Sequence, residues 1–141
     1  MEHSYYLKAI FNREHQKTVV KKLEEKIKKL KEQGVKIDAV AFCGQSGAGI
    51  VYPFFYKTGF PILCVRKKNE SPHGYHVESS ESHGIEYYVI VDDLIDTGKT
   101  INYITDVLSN YAECSGIILY QSLWVSEFNN IPVHYIGEER S

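Results

Sequence analysis

Five short runs of this chain are apolar almost from end to end, and they alternate with stretches of helical character. Residues 37–42 (IDAVAF), 61–65 (PILCV), 87–91 (YYVIV), 117–120 (IILY) and 131–136 (IPVHYI) have strand length. A strand that is apolar at successive positions needs cover on both faces, so these runs point to a parallel sheet between helices. The helical stretches are residues 13–33, 48–57 and 98–110. In the first, Val19, Val20, Leu23, Ile27 and Leu30 recur at helical spacing. Asn12 can cap its start and Gly34 can end it. In the third, Ile101, Ile104, Leu108 and Tyr111 share one side. The expected fold is α/β, a mostly parallel five-stranded sheet with right-handed crossovers. A chain of 141 residues suits a single domain over 1–141. It buries roughly two-thirds of its unfolded surface, enough for a core without disulfides.

In such sheets ligands collect beyond the carboxyl ends of the strands. The loops that matter are therefore 43–49, 66–86, 92–98 and 121–130. Residues 66–86 are polar, with Pro72, Gly74 and Gly84, and read as a long mobile loop. Composition removes several function classes. No apolar run approaches the ~20 residues of a membrane span. The first residues lack the pattern of a secretory signal. Cys43, Cys64 and Cys114 are odd in number and far apart. They fit free, buried thiols in a reducing compartment, so a cytoplasmic protein is expected. The 13–33 helix carries eight Lys plus Arg and four Glu, in a chain of net charge −2. These charges read as a solvated face, and no nucleic-acid partner is expected. His73, His76 and His83, interleaved with Glu78 and Glu81, match no zinc spacing.

The most informative stretch is VIVDDLIDTGKT, residues 89–100. A buried strand ends in two adjacent carboxylates, Asp92 and Asp93. A third, Asp96, follows three residues later. Thr97, Gly98, Lys99 and Thr100 then open a helix. Backbone N–H groups at a helix N-terminus, Thr hydroxyls and a Gly that permits close approach suit a phosphate. Carboxylates beside it suit sugar hydroxyls or a magnesium ion. The combination asks for a sugar phosphate. Gly98, Lys99 and Thr100 also look like the end of a Walker A loop. That motif needs a Gly where Asp93 stands, so nucleotide hydrolysis is set aside.

This stretch closely resembles the phosphoribosyl pyrophosphate (PRPP) fingerprint of type I phosphoribosyltransferases. The similarity continues more weakly over residues 34–121. Residues 38–47 (DAVAFCGQSG) look like the family's strand and pyrophosphate loop, and residues 65–68 (VRKK) like the Arg-Lys segment ending the next strand. The resemblance implies the type I phosphoribosyltransferase fold, with a flexible loop over residues 68–86 and a small hood. It implies transfer of ribose 5-phosphate from PRPP to a nucleobase, with Mg2+ and release of pyrophosphate. Asp92 and Asp93 would bind the ribose hydroxyls, directly or through Mg2+. Asp96, Thr97, Gly98, Lys99 and Thr100 would wrap the 5′-phosphate. Gln45, Ser46, Gly47, Arg66 and Lys67 would face pyrophosphate. Asp96 matches the acceptor or general base of hypoxanthine-guanine members, which favours a purine and makes Asp96 catalytic together with Asp92 and Asp93. A homodimer is implied.

Two positions depart from the family's pattern. Gln45 and Ser46 stand where a basic residue usually precedes the pyrophosphate-loop Gly. No Lys follows the fourth strand, where the chain reads Leu119, Tyr120, Gln121. Gln121 can offer an amide to a base in its place. Trp124 or Phe128 can stack on a base or serve packing. The 13–33 helix is a candidate hood; Lys67, Lys68 or His73 could contact pyrophosphate when the mobile loop closes, with Tyr75 as an alternative closing residue. Tyr52, Phe54, Phe55 and Tyr56 suit an interface or a core. These departures keep a second class open: a PRPP- or nucleotide-binding regulator without transferase activity.

Overall fold

Burial alternates along strands that are apolar at every position, and this splits the core into two layers. The computed structural model describes residues 12–67, 76–81, 83–121 and 125–136. Its strands are β1 (Ala39–Phe42), β2 (Ile62–Val65), β3 (Val77–Ser79), β4 (Tyr87–Asp92), β5 (Glu113–Leu119), β6 (Glu127–Phe128) and β7 (Ile131–Tyr135). The helices are α1 (Arg13–Glu32), α2 (Gln45–Thr58) and α3 (Lys99–Leu108). Val40 and Phe42 of β1, with Val89 and Val91 of β4, pack under α1 and α2. Ala39, Ala41, Tyr88 and Ile90 face the other way, toward α3. Helices on both faces explain why these strands show no polar alternation.

The strand order is β3-β2-β1-β4-β5-β7-β6. The five expected strands form the parallel centre. β3 and β6 add antiparallel edges. The chain winds outward from β1 to β2, then returns to lay β4 on β1's other side. The switch point thus lies between the carboxyl ends of β1 and β4, which in an open α/β sheet is a crevice.

Three local expectations are corrected. The expected loop at 43–49 is mostly the first turns of α2, which begins at Gln45 rather than at residue 48. Only Gly44 is turn-like, at φ 87°. The polar stretch 66–86 contains β3, whose three residues are too short to show a period but cover the open edge of β2. The candidate hood helix is not a hood. Its apolar stripe, Val19, Val20, Leu23, Ile27 and Leu30, is buried in the layer shared with α2.

The α1–α2 contact also repairs a backbone defect. Pro53 lies inside α2 and has no N–H to give to the Gly49 carbonyl. Gln16 of α1 supplies that donor through its side-chain amide, at 2.8 Å. Of the four aromatics of α2, Phe54 is core, while Tyr56 is 83% exposed and Tyr52 43% exposed. All three cysteines are free thiols. Among the described residues no helix is long and apolar enough to cross a membrane.

Candidate functional site

A cavity of about 550 Å³ opens at the switch point. Its walls are Cys43 to Ser46 from the β1–α2 connection, Lys67 beyond β2, and residues 92–101 from the end of β4 into α3. Asp92, Asp93, Asp96, Thr97, Gly98, Lys99, Thr100, Gln45, Ser46 and Lys67 all meet there, as the sequence placed them.

Two helices begin in this one cavity. α2 starts after Gly44 and α3 after Gly98, both at positive φ (87° and 83°). Neither N-cap makes a side-chain capping bond, and neither first turn holds an acidic residue. Their leading amides and dipoles therefore project positive potential into the same space. Gly47 brings α2 close enough to do this. A Cβ there would lie 2.9 Å from Phe42 Cβ and 3.2 Å from the Val91 carbonyl. Gly47 thus lets helix pack on sheet, and it is not among the residues that line the cavity.

The carboxylate pair lies between the two helix ends. Asp92 is 8% exposed and Asp93 4%. Asp92 Oδ1 accepts from Ser46 Oγ and from the Asp93 amide, each at 2.9 Å. Asp93 Oδ1 accepts from the Leu94 amide at 2.8 Å. Burial, reinforced by the adjoining Asp93 carboxyl, pushes the Asp92 carboxyl up to about 7. The Ser46–Asp92 bond spans the switch point and ties α2 to β4. Behind it, the Tyr120 hydroxyl donates to the Ser46 carbonyl at 2.8 Å. Tyr120 was invisible as a site residue in the sequence, because its partner lies 74 positions away. Cys43, read as a structural thiol, also reaches the cavity wall.

Other expected residues go elsewhere. Arg66 is absent from the cavity wall, and its guanidinium is held by Glu78 at 2.8 Å. Its carbonyl accepts from the Tyr103 hydroxyl at 2.7 Å, and its amide donates to His76 at 2.7 Å. Arg66 therefore anchors the root of the 66–76 connection, because β3 places Glu78 beside it. Gln121 is not in the cavity lining, and its backbone N–H donates to the Asp93 carbonyl at 2.9 Å. Phe128 packs its ring on Gly98, the packing alternative of its two readings. Trp124, Lys68, His73 and Tyr75 lie outside the described residues.

A pair of buried carboxylates offers hard oxygen donors of the kind Mg2+ takes together with substrate oxygens and water. Among the described residues no cluster of three or more His, Cys, Asp or Glu forms a complete cage.

No protein-family model matches the chain. It is 32% identical over 90 residues to the adenine phosphoribosyltransferase of Treponema denticola, covering 52% of this chain and 46% of that protein. The chain thus spans about half the length of that relative. Among solved structures, the orotate phosphoribosyltransferase of Francisella tularensis superposes with TM-score 0.65 at 14% identity, over 90% of this chain and 68% of that one. The Saccharomyces cerevisiae adenine phosphoribosyltransferase, complexed with adenine and an imino-altritol bisphosphate, gives 0.66 at 17% identity, over 91% and 82%. The chain has the fold of these type I phosphoribosyltransferase structures.

Proposed function

We propose that the protein is a phosphoribosyltransferase that moves the ribose 5-phosphate of PRPP onto a nucleobase and releases pyrophosphate. The observation that carries this reading is the convergence of two uncapped helix N-termini on one cavity with a buried carboxylate pair between them. PRPP has that pattern: a phosphate at one end, a pyrophosphate at the other and ribose hydroxyls between. The likeness in sequence to the Treponema denticola adenine enzyme supports it.

In this reading the α3 N-terminus and residues 96–100 hold the 5′-phosphate. The α2 N-terminus, with Gln45, Ser46 and Lys67, holds pyrophosphate by backbone amides and one cation. Asp92 and Asp93 bind the ribose hydroxyls. Mg2+, when bound there with the substrate, would neutralise charge on the pyrophosphate. The anomeric carbon passes through an oxocarbenium-like state, so catalysis rests on alignment and on stabilising the departing pyrophosphate. Asp96 is exposed at the cavity mouth, suited to meet an incoming base as proton acceptor. That acceptor favours a purine over orotate. The protein is expected to work in the cytoplasm as a homodimer, with Tyr52 and Tyr56 as its candidate contact surface.

A second reading, PRPP binding without transfer, is favoured by one observation. The α2 terminus has no basic side chain and Arg66 is turned to Glu78. A single experiment separates them. The purified protein is incubated with PRPP, Mg2+ and mixed purine and pyrimidine bases, and nucleoside monophosphates are sought by mass spectrometry. A purine monophosphate is expected. PRPP binding without any product would leave the regulator, and a pyrimidine product would overturn the purine assignment.

A further inference from the structure

The turn that opens α3 gains little support from within. Its Lys99 amide reaches Thr97 Oγ1 only at 3.4 Å, a long and weak contact. Asp96 and Thr97 are exposed. Yet amides bind an anion well only when they are held aimed at one point.

The support comes from a part of the chain that does not line the cavity. β6 and β7 pair antiparallel through Phe128 and Ile131, joined by Asn129 and Asn130. Both asparagines adopt the left-handed conformation, φ 52° and 64°, which this residue type tolerates and a tight two-residue hairpin needs. The hairpin tip lies on the start of α3 at two points. The Phe128 ring covers Gly98 so closely that any side chain at Gly98 would collide with it. Asn129 Nδ2 donates to Asn102 Oδ1 at 2.7 Å. Asn102 is the residue whose amide closes the first turn of α3 onto the Gly98 carbonyl, at 2.9 Å. The ring thus backs the cap residue, and the amide pair fixes the turn that follows it.

We infer that Phe128 and Asn129 are positioning residues for the 5′-phosphate subsite: the β6–β7 hairpin holds the α3 N-terminus in its anion-binding geometry. The inference rests on the phosphoribosyltransferase reading and adds to it a selective dependence of one phosphate subsite on a hairpin outside the cavity. The α2 terminus is tied instead through Ser46 to Asp92 and Tyr120. Loss of the hairpin contacts should therefore spare it.

The test is calorimetric titration of the full chain with ribose 5-phosphate and, separately, with magnesium pyrophosphate. Phe128→Ala should weaken ribose 5-phosphate about tenfold or more, as expected when binding groups lose alignment. Pyrophosphate should change by less than about twofold, the span of a single weak contact. Phe128→Leu should restore most of the loss. Asn129→Gly keeps the left-handed turn while removing the side-chain bond, and should cost about threefold on ribose 5-phosphate alone. It carries the test if Phe128→Ala does not fold. Equal weakening of both ligands, or none, would overturn the inference and leave the hairpin a purely structural element. Wild-type protein that binds neither ligand would remove the phosphoribosyltransferase reading, and the subsite with it. Wild-type protein that binds both, with variants that match it, removes this inference alone.

Discussion

The three helices begin in two different ways. At α1, Asn12 accepts from the His15 amide at 2.9 Å, and Glu14 lies in the first turn. The chain satisfies that end itself and complements its dipole. At α2 and α3 the cap residue is a glycine at positive φ, no side chain caps the end, and no acid sits in the first turn. With glycine as the cap residue, each such end forgoes roughly a few tenths of a kcal/mol relative to a side-chain cap. No residue of α1 lines the cavity, whereas α2 and α3 both begin in its wall. The difference teaches that α1 satisfies its own first turn, while the first turns of α2 and α3 lack a side-chain cap, as the proposed function requires of ends that hold an anion.

The sharpest challenge to this comparison is Asp96, a carboxylate just ahead of α3. If it serves the reaction, Asp96→Asn should lower turnover about a hundredfold, the usual worth of a positioned acid or base, with PRPP affinity little changed. If it serves the helix, thermal stability should fall instead. Steady-state kinetics beside a melting curve decides between them. Next comes Gly47→Ala, which forces a methyl group into Phe42 and the Val91 carbonyl. It should destabilise the fold by about 1–3 kcal/mol, as overpacking does. It should also weaken pyrophosphate more than ribose 5-phosphate, because α2 is lifted. Denaturant unfolding and calorimetry read the two effects.

Asp92 tests the electrostatics of the space between the open ends. Its carboxyl is raised from 3.8 to about 7 in the folded chain. The folded state therefore holds this proton more tightly than the unfolded state. The resulting stability is full below the unfolded value and is lost as pH rises through about 7. Asp92→Asn should remove that part of the decline, visible as a flatter melting temperature between about pH 4 and 7. A ligand that takes Asp92 as the carboxylate should bind wild type more tightly as pH rises through that range. The smallest effect is expected at the capped end. Asn12→Ala should cost about 1 kcal/mol of stability with no change in ligand affinity. A change in affinity there would break the comparison.

Much of this was legible in the residues. The five parallel strands follow from continuous apolar runs, because burial on both faces forbids polar alternation. The α1 cap and its ending at Gly34 follow from local chemistry. So does the clustering at residues 92–100, where three carboxylates and a Gly-containing helix start lie within nine positions and line one cavity. The edge strands β3 and β6 did not show, since two or three residues carry no period. Arg66 looked like an anion ligand until β3 brought Glu78 against it. Phe128 could serve a base or the packing, and the hairpin laid its ring on Gly98.

By itself, then, the sequence determined the layered α/β core and the acidic, glycine-containing turn after β4, because both are written in neighbouring residues. Only the tertiary structure decided which groups share the cavity. The Ser46–Asp92 bond, the Tyr120 hydroxyl on the Ser46 carbonyl and the Asn129–Asn102 pair join residues 27 to 74 positions apart. Such pairings depend on strand order and crossover, which bring distant chain segments together without leaving a local pattern.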